Sequence, residues 1–125
     1  MVCHCCDKGA KLISGFAEEI TPKEYKDRVH NGTFAEVLQT CAIEPGDVFY
    51  VPAGRVHGIG AGAFVAEIQQ TSDITYRIFD YNRKDKDGKS RELHTSQAMD
   101  AINFPMCKTI SVPNTNVYRM NPLRW

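Results

Sequence analysis

At 125 residues the chain is long enough for one domain with its own core and too short for a large two-domain enzyme. Fifteen basic residues balance fifteen acidic ones and the pI lies near 6.9, which excludes a strong electrostatic footprint for nucleic acid or an anionic membrane surface. No apolar run approaches the ~18–20 residues of a membrane span. The first residues carry no basic stretch followed by an apolar core, so no signal peptide is expected and a cytoplasmic protein is.

The five cysteines are Cys3, Cys5, Cys6, Cys41 and Cys107. An odd count without a secretion signal argues against a disulfide framework. Cys3-His4-Cys5-Cys6 holds soft donors but lacks the paired C-x-x-C spacing of a structural zinc site. A frayed or strand-like start with incidental thiols is expected.

Residues 10–16 (AKLISGF) read as a strand, with Gly15 marking a bulge. Thr21-Pro22-Lys23-Glu24 is a capping box with Pro at the first helical position. It predicts a helix over residues 22–29, stopped at Asn31-Gly32. Thr33-Phe34-Ala35-Glu36 repeats the box and predicts a second short helix through Leu38. Tyr25, Val29, Phe34, Val37 and Leu38 would form the packing face of this insert.

Short strands are then expected over residues 41–44, 48–51, 56–59, 64–69 and 74–80. Gly, Pro, Ser and Asp punctuate them. This spacing points to a β-sandwich or small barrel rather than alternating βα units. Residues 82–91 (NRKDKDGKSR) read as a solvated charged loop with Asp87-Gly88 at its tip, in preference to a phosphate-binding patch. Thr95 is expected to cap a helix over residues 96–102, with Ala98, Met99 and Ile102 on one face. Residues 108–112 form a further candidate strand, and residues 114–125 show no periodicity.

The candidate chemistry lies in residues 46–77, where Gly46, Pro52, Gly54 and His57 give the pattern G-x5-P-x-G-x2-H. A Pro-x-Gly turn reverses the chain and delivers His57, whose neutral imidazole suits a divalent metal. Alternation along residues 64–69 puts Val65, Glu67 and Gln69 on one face. On the next strand Thr75, Arg77 and Phe79 share a face. Glu67 is either catalytic or half of an ion pair with Arg77 or another Arg. Arg77 is read as substrate-facing, since a buried guanidinium needs an anion.

The turn pattern resembles the second cupin motif, although Ala61 stands where that motif ends in Asn. The longer run FYVPAGRVHGIGAGAFVAEIQQTSDITYRIFDYNRKD resembles the short bacterial class I mannose-6-phosphate isomerases. So do KGAKLISGF, the TPKEY helix and RELHTSQAMDAI, and the resemblance covers about residues 7–104. It implies a mainly β, cupin-type jelly roll with short helical inserts, in a single domain. It also implies a zinc ion and interconversion of mannose 6-phosphate and fructose 6-phosphate through a cis-enediol. On this resemblance His57 is a metal ligand, Arg77 and Glu67 are catalytic, and Gln69 and Arg77 bind substrate.

The chain departs from the family where the earlier metal ligands would stand. It has neither the Gln-x-His pair nor the downstream Glu of a Gly-Lys-Thr-Glu-like segment. It is therefore expected to be an incomplete barrel, truncated at both ends, that self-associates through open sheet edges. A non-catalytic remnant, serving as a sugar-binding or oligomerising module, is the alternative. An unrelated metal-dependent oxygenase is weaker, because its His-x-His motif is absent.

Overall fold

The computed structural model describes residues 1–72, 74–81 and 83–105 and the strand Ser111–Val112. Among these residues seven strands form two antiparallel sheets. The strands are β1 (Val2–Cys6), β2 (Lys11–Phe16), β3 (Leu38–Ala42), β4 (Val48–Phe49), β5 (His57–Ile59), β6 (Ala63–Ala66) and β7 (Ser111–Val112). One sheet has the order β6-β1-β4-β7 and the other β3-β2-β5.

β2 is the spine of the second sheet. Leu12, Ser14 and Phe16 alternate into the interior, as a half-buried strand requires. The bulge expected at Gly15 is present: φ is +80° there, and the β2–β3 register shifts between Ile13 and Phe16. In the first sheet β1 bulges at His4, between Cys3 paired with Val65 and Cys5 paired with Phe64. The N-terminal cysteines thus lie in a strand, with Cys3 buried and Cys5 exposed. Cys3, Leu12 and Phe49 meet Ala10 and Ile43 in a cluster that draws on both sheets.

Helix α1 (Pro22–Asn31) begins as the sequence predicts. The Glu24 amide donates to Thr21 Oγ1 at 3.2 Å and the Thr21 amide donates to Glu24 Oε2 at 2.9 Å. The Thr21 amide, and then the Thr21 hydroxyl donating to the same Oε2 at 3.2 Å, hold the Glu24 carboxyl below its ordinary pKa. The helix runs two residues past the expected end and closes on Gly32 at φ +71°. The second capping box does not form. Phe34–Val37 is a single 3-10 turn, Thr33 makes no side-chain cap, and Glu36 turns to Arg28 at 3.5 Å. Helix α2 (Thr95–Ala101) starts one residue early, with His94 rather than Thr95 at its N-cap.

Tyr25, Phe16, Phe34 and Phe104 join α1 to the second sheet through edge-on and stacked ring contacts at 5.4–6.2 Å. Ala98 brings α2 into the same cluster. Burying each large ring contributes about 1.5–3 kcal/mol, so this cluster is the main tie between helices and sheet.

Two expected strands are shorter than predicted and a third does not form. Residues 67–69 run on past the end of β6 without ladder pairing, and residues 74–80 form no strand. Only Val48–Phe49 pairs within residues 48–51. The charged loop is more ordered than expected. Lys84 bridges Ser90, and Asp85 Oδ1 accepts the Asp87 and Lys89 amides at 2.9 and 2.8 Å. Residues 106–110 and 113–125, including Cys107 and part of the 108–112 candidate strand, lie outside the described residues. No helix among the described residues is long and apolar enough to cross a membrane.

Tyr25 is fully buried, and desolvation pushes its phenol up to about 12. Between the ordinary tyrosine pKa and about 12 the unfolded chain loses this proton while the folded chain keeps it. Stability therefore falls as pH rises through that window. Tyr25→Phe should flatten the decline in urea-denaturation midpoint between pH 10 and 12. Its cost at neutral pH should be no more than roughly 0.5–1.5 kcal/mol, for the long bond from Tyr25 Oη to the Thr95 carbonyl. An unchanged slope would refute the assignment.

Candidate functional site

The Arg55 amide donates to the Pro52 carbonyl at 3.1 Å, which closes a four-residue turn with Gly54 at φ +80°. That geometry is a type II turn and calls for glycine at its third position. Packing reinforces the choice. A Cβ on Gly54 would stand 2.8 Å from the Ala101 carbonyl oxygen and 3.2 Å from the Asn103 nitrogen. The Asn103 amide donates to the Gly54 carbonyl at 2.9 Å, so the turn is tied to the end of α2.

The turn leads into β5, where His57 pairs with Ser14 of β2. His57 Nδ1 lies 3.0 Å from the Arg55 carbonyl. A carbonyl only accepts, so Nδ1 carries the proton and Nε2 keeps its lone pair for a ligand.

An open cleft of about 550 Å³ lies beside the turn. His57, Glu67 and Gln69 line it, so these three are brought together. The two carboxy-terminal members sit beyond the end of β6 and are exposed. Further lining comes from Thr75, Tyr76 and Ile78, from Ala98 and Ala101 of α2, and from Ile102 just after it. Arg77 is not among the lining residues, although its neighbours on both sides are. Its side chain is half-buried, and its backbone is engaged by His94 on both N–H and carbonyl. No ion pair joins Glu67 to Arg77 among the described residues.

The sequence reading missed Arg55, which lines the cleft at 6% exposure. The available signal was its spacing: in extended chain, residues two apart share a side, and Arg55 precedes His57 by two. Tyr76, which lines the cleft, and His94, which holds Arg77, were also passed over.

Among the described residues no group of three or more His, Cys, Asp and Glu side chains is placed to hold a metal ion. The N-terminal thiols do not fill that role. Burial, then the neighbouring Cys6, pushes the Cys3 thiol up to about 11, and Cys6 Sγ donates to the Ile43 carbonyl at 3.3 Å.

No family model matches the chain. It is 44% identical over 100 residues to the mannose-6-phosphate isomerase ManA of Bacillus subtilis, a match covering 80% of this chain and 31% of that protein. It is 41% identical over 108 residues to the probable mannose-6-phosphate isomerase GmuF of Bacillus subtilis, covering 86% and 34%. The mannose-6-phosphate isomerase of Streptococcus mutans is 40% identical over 98 residues, covering 78% and 31%. The crystal structure of the mannose 6-phosphate isomerase from Bacillus subtilis superposes with a TM-score of 0.75 at 38% identity, covering 83% of this chain and 33% of that one.

The chain resembles a fragment of a mannose-6-phosphate isomerase. It spans about a third of the length of the curated relatives it matches. The fold is mainly β and cupin-type, as the turn motif led one to expect.

Gly54→Ala adds a Cβ against backbone atoms of α2 at a positive-φ position. It should lower stability by roughly 1–3 kcal/mol. Urea denaturation checks this, and a variant as stable as the parent would show that the turn and helix are not in contact.

Proposed function

We propose that this chain serves a mannose-6-phosphate isomerase, as a single cupin-like domain that supplies one side of a sugar-phosphate site. The observation that carries the reading is the convergence of His57, Glu67 and Gln69 on one cleft. The similarity to isomerases over most of the chain supports it. The relatives' names supply the substrate, mannose 6-phosphate.

The reaction moves a proton between adjacent carbons. The Glu67 carboxylate takes the proton from C2 of the open-chain aldose while the C1 carbonyl oxygen gains one, which forms the cis-enediol. Return of the proton to C1, with loss of the O2 hydroxyl proton, gives the ketose. Gln69 has donors and an acceptor for the sugar hydroxyls. Arg77, the cation the sequence offers for the substrate's anionic groups, flanks the cleft without lining it.

Zinc would supply charge stabilisation at the two oxygens. The residues described do not by themselves fit it: a catalytic zinc takes three protein ligands, and no such group is present among them. His57, with Nε2 free, is one donor for a metal whose other ligands come from elsewhere, and no step is assigned to the metal. The same observation favours a second reading, a non-catalytic module that binds the sugar phosphate.

A coupled mannose-6-phosphate assay with metal analysis by mass spectrometry separates the two. Turnover that drops about 10²–10⁴-fold in Glu67→Gln supports the first. Turnover indifferent to that change removes Glu67 from the chemistry. Saturable substrate binding with neither metal nor turnover supports the second.

β6 ends its sheet among the described residues, and Phe64, Ile68 and Ile74 are exposed. These features support self-association through that edge. Light scattering should report dimers or larger species, and a monomer at high concentration would refute this.

A further inference from the structure

His94 touches both backbone polar groups of Arg77. The Arg77 amide donates to His94 Nδ1 at 3.0 Å, and the His94 amide donates to the Arg77 carbonyl at 2.8 Å. A ring nitrogen that accepts a hydrogen bond carries no proton, so the neutral ring is the Nε2–H tautomer. The Tyr76 ring lies against it, with centroids 6.1 Å apart. The His94 carbonyl in turn accepts the Ala98 amide at 2.9 Å and so opens α2.

Neither partner lines the cleft, but each adjoins a different segment that does. Thr75, Tyr76 and Ile78 beside Arg77 form one stretch of the lining, and Ala98 and Ala101 of α2, which opens on His94, form another with Ile102. The segment between them is an irregular hairpin. Among the described residues it is also tied by the Lys84–Ser90 bridge, by the Asp85 bonds near the tip, by the Phe79 ring against Phe34 and by the Arg91–Asp80 pair at 3.6 Å. In that pair the Arg91 side chain is more than half exposed while Asp80 is largely buried, and the 3.6 Å separation is long for a charge-assisted bond. The His94 contact is the half-buried end of the hairpin, where a backbone bond is shielded from competing water.

We propose that His94 is a positioning residue: its unprotonated Nδ1 clamps the Arg77 segment to the start of α2 and sets the spacing of those two stretches of cleft lining. Its consequence for turnover rests on the isomerase reading, whereas the clamp itself does not.

The first test is ¹⁵N NMR of the wild-type imidazole at pH 8, with amide hydrogen exchange at Arg77. Expected are the Nε2–H tautomer for His94 and a protected Arg77 amide. His94→Asn keeps an acceptor oxygen near the position of Nδ1, while His94→Gln moves its amide one bond outward. Exchange at Arg77 should accelerate about tenfold in His94→Gln, the loss of roughly one hydrogen bond. It should stay near wild type in His94→Asn. An Nδ1–H tautomer in the wild type, or equal Arg77 exchange in wild type and His94→Gln, overturns the clamp. The tautomer reading stands even if the variants fail to fold. Where the chain turns over mannose 6-phosphate, His94→Gln should lower kcat and His94→Asn restore it. A kcat that both variants leave unchanged would deny the clamp a role in turnover, with the NMR result unaffected.

Discussion

The hydrogen bond from the Asn103 amide to the Gly54 carbonyl joins the end of a helix to the turn that delivers His57. It forms only because Gly54 has no Cβ, since a methyl group there would stand 2.8 Å from the Ala101 carbonyl oxygen. The helix is held in reach by the aromatic cluster of Phe16, Tyr25, Phe34 and Phe104, which takes in Ala98. Ring burial thus places α2, α2 meets the turn, and the turn aims β5. The cleft is the space these three leave open.

That space is chemically two-sided. His57, Glu67 and Gln69 bring polar groups from the ends of strands, while α2 and the residue just after it bring Ala98, Ala101 and Ile102. The support is uneven as well. His57 is held by ladder pairing with Ser14 and by the Arg55 carbonyl. Glu67 and Gln69 stand past the last paired residue of β6. A proton-transfer group on unpaired chain gains reach but must be oriented by what it binds, which suits a site completed by substrate and further ligands.

Much of the fold was legible because its signals are local. The Thr21 capping box, the Gly15 bulge and the Pro52–Gly54 turn each follow from a few adjacent residues and from where positive φ is tolerated. The second box failed for an equally physical reason. Thr33 follows directly on the Gly32 terminator, and Glu36 found Arg28 of the preceding helix instead. Alternation correctly grouped Glu67 with Gln69 but overextended β6, because a two-residue period describes extended chain whether or not a neighbour pairs with it. Arg77 illustrates the opposite limit. Alternation put it on the substrate side, yet its neighbours Tyr76 and Ile78 line the cleft and it does not, and its backbone is held by a histidine 17 residues away.

The amino-acid sequence by itself determined the β-rich class, the capped helix, the turn before His57 and the likeness to an isomerase family. Each depends on spacing or on the conformational freedom of single residues. Only the tertiary structure decided that α2 walls the cleft, that Arg55 is buried beside His57, and that His94 grips Arg77 from both sides. Those outcomes depend on which distant segments pack together, and packing against the aromatic cluster selects partners that no local pattern encodes.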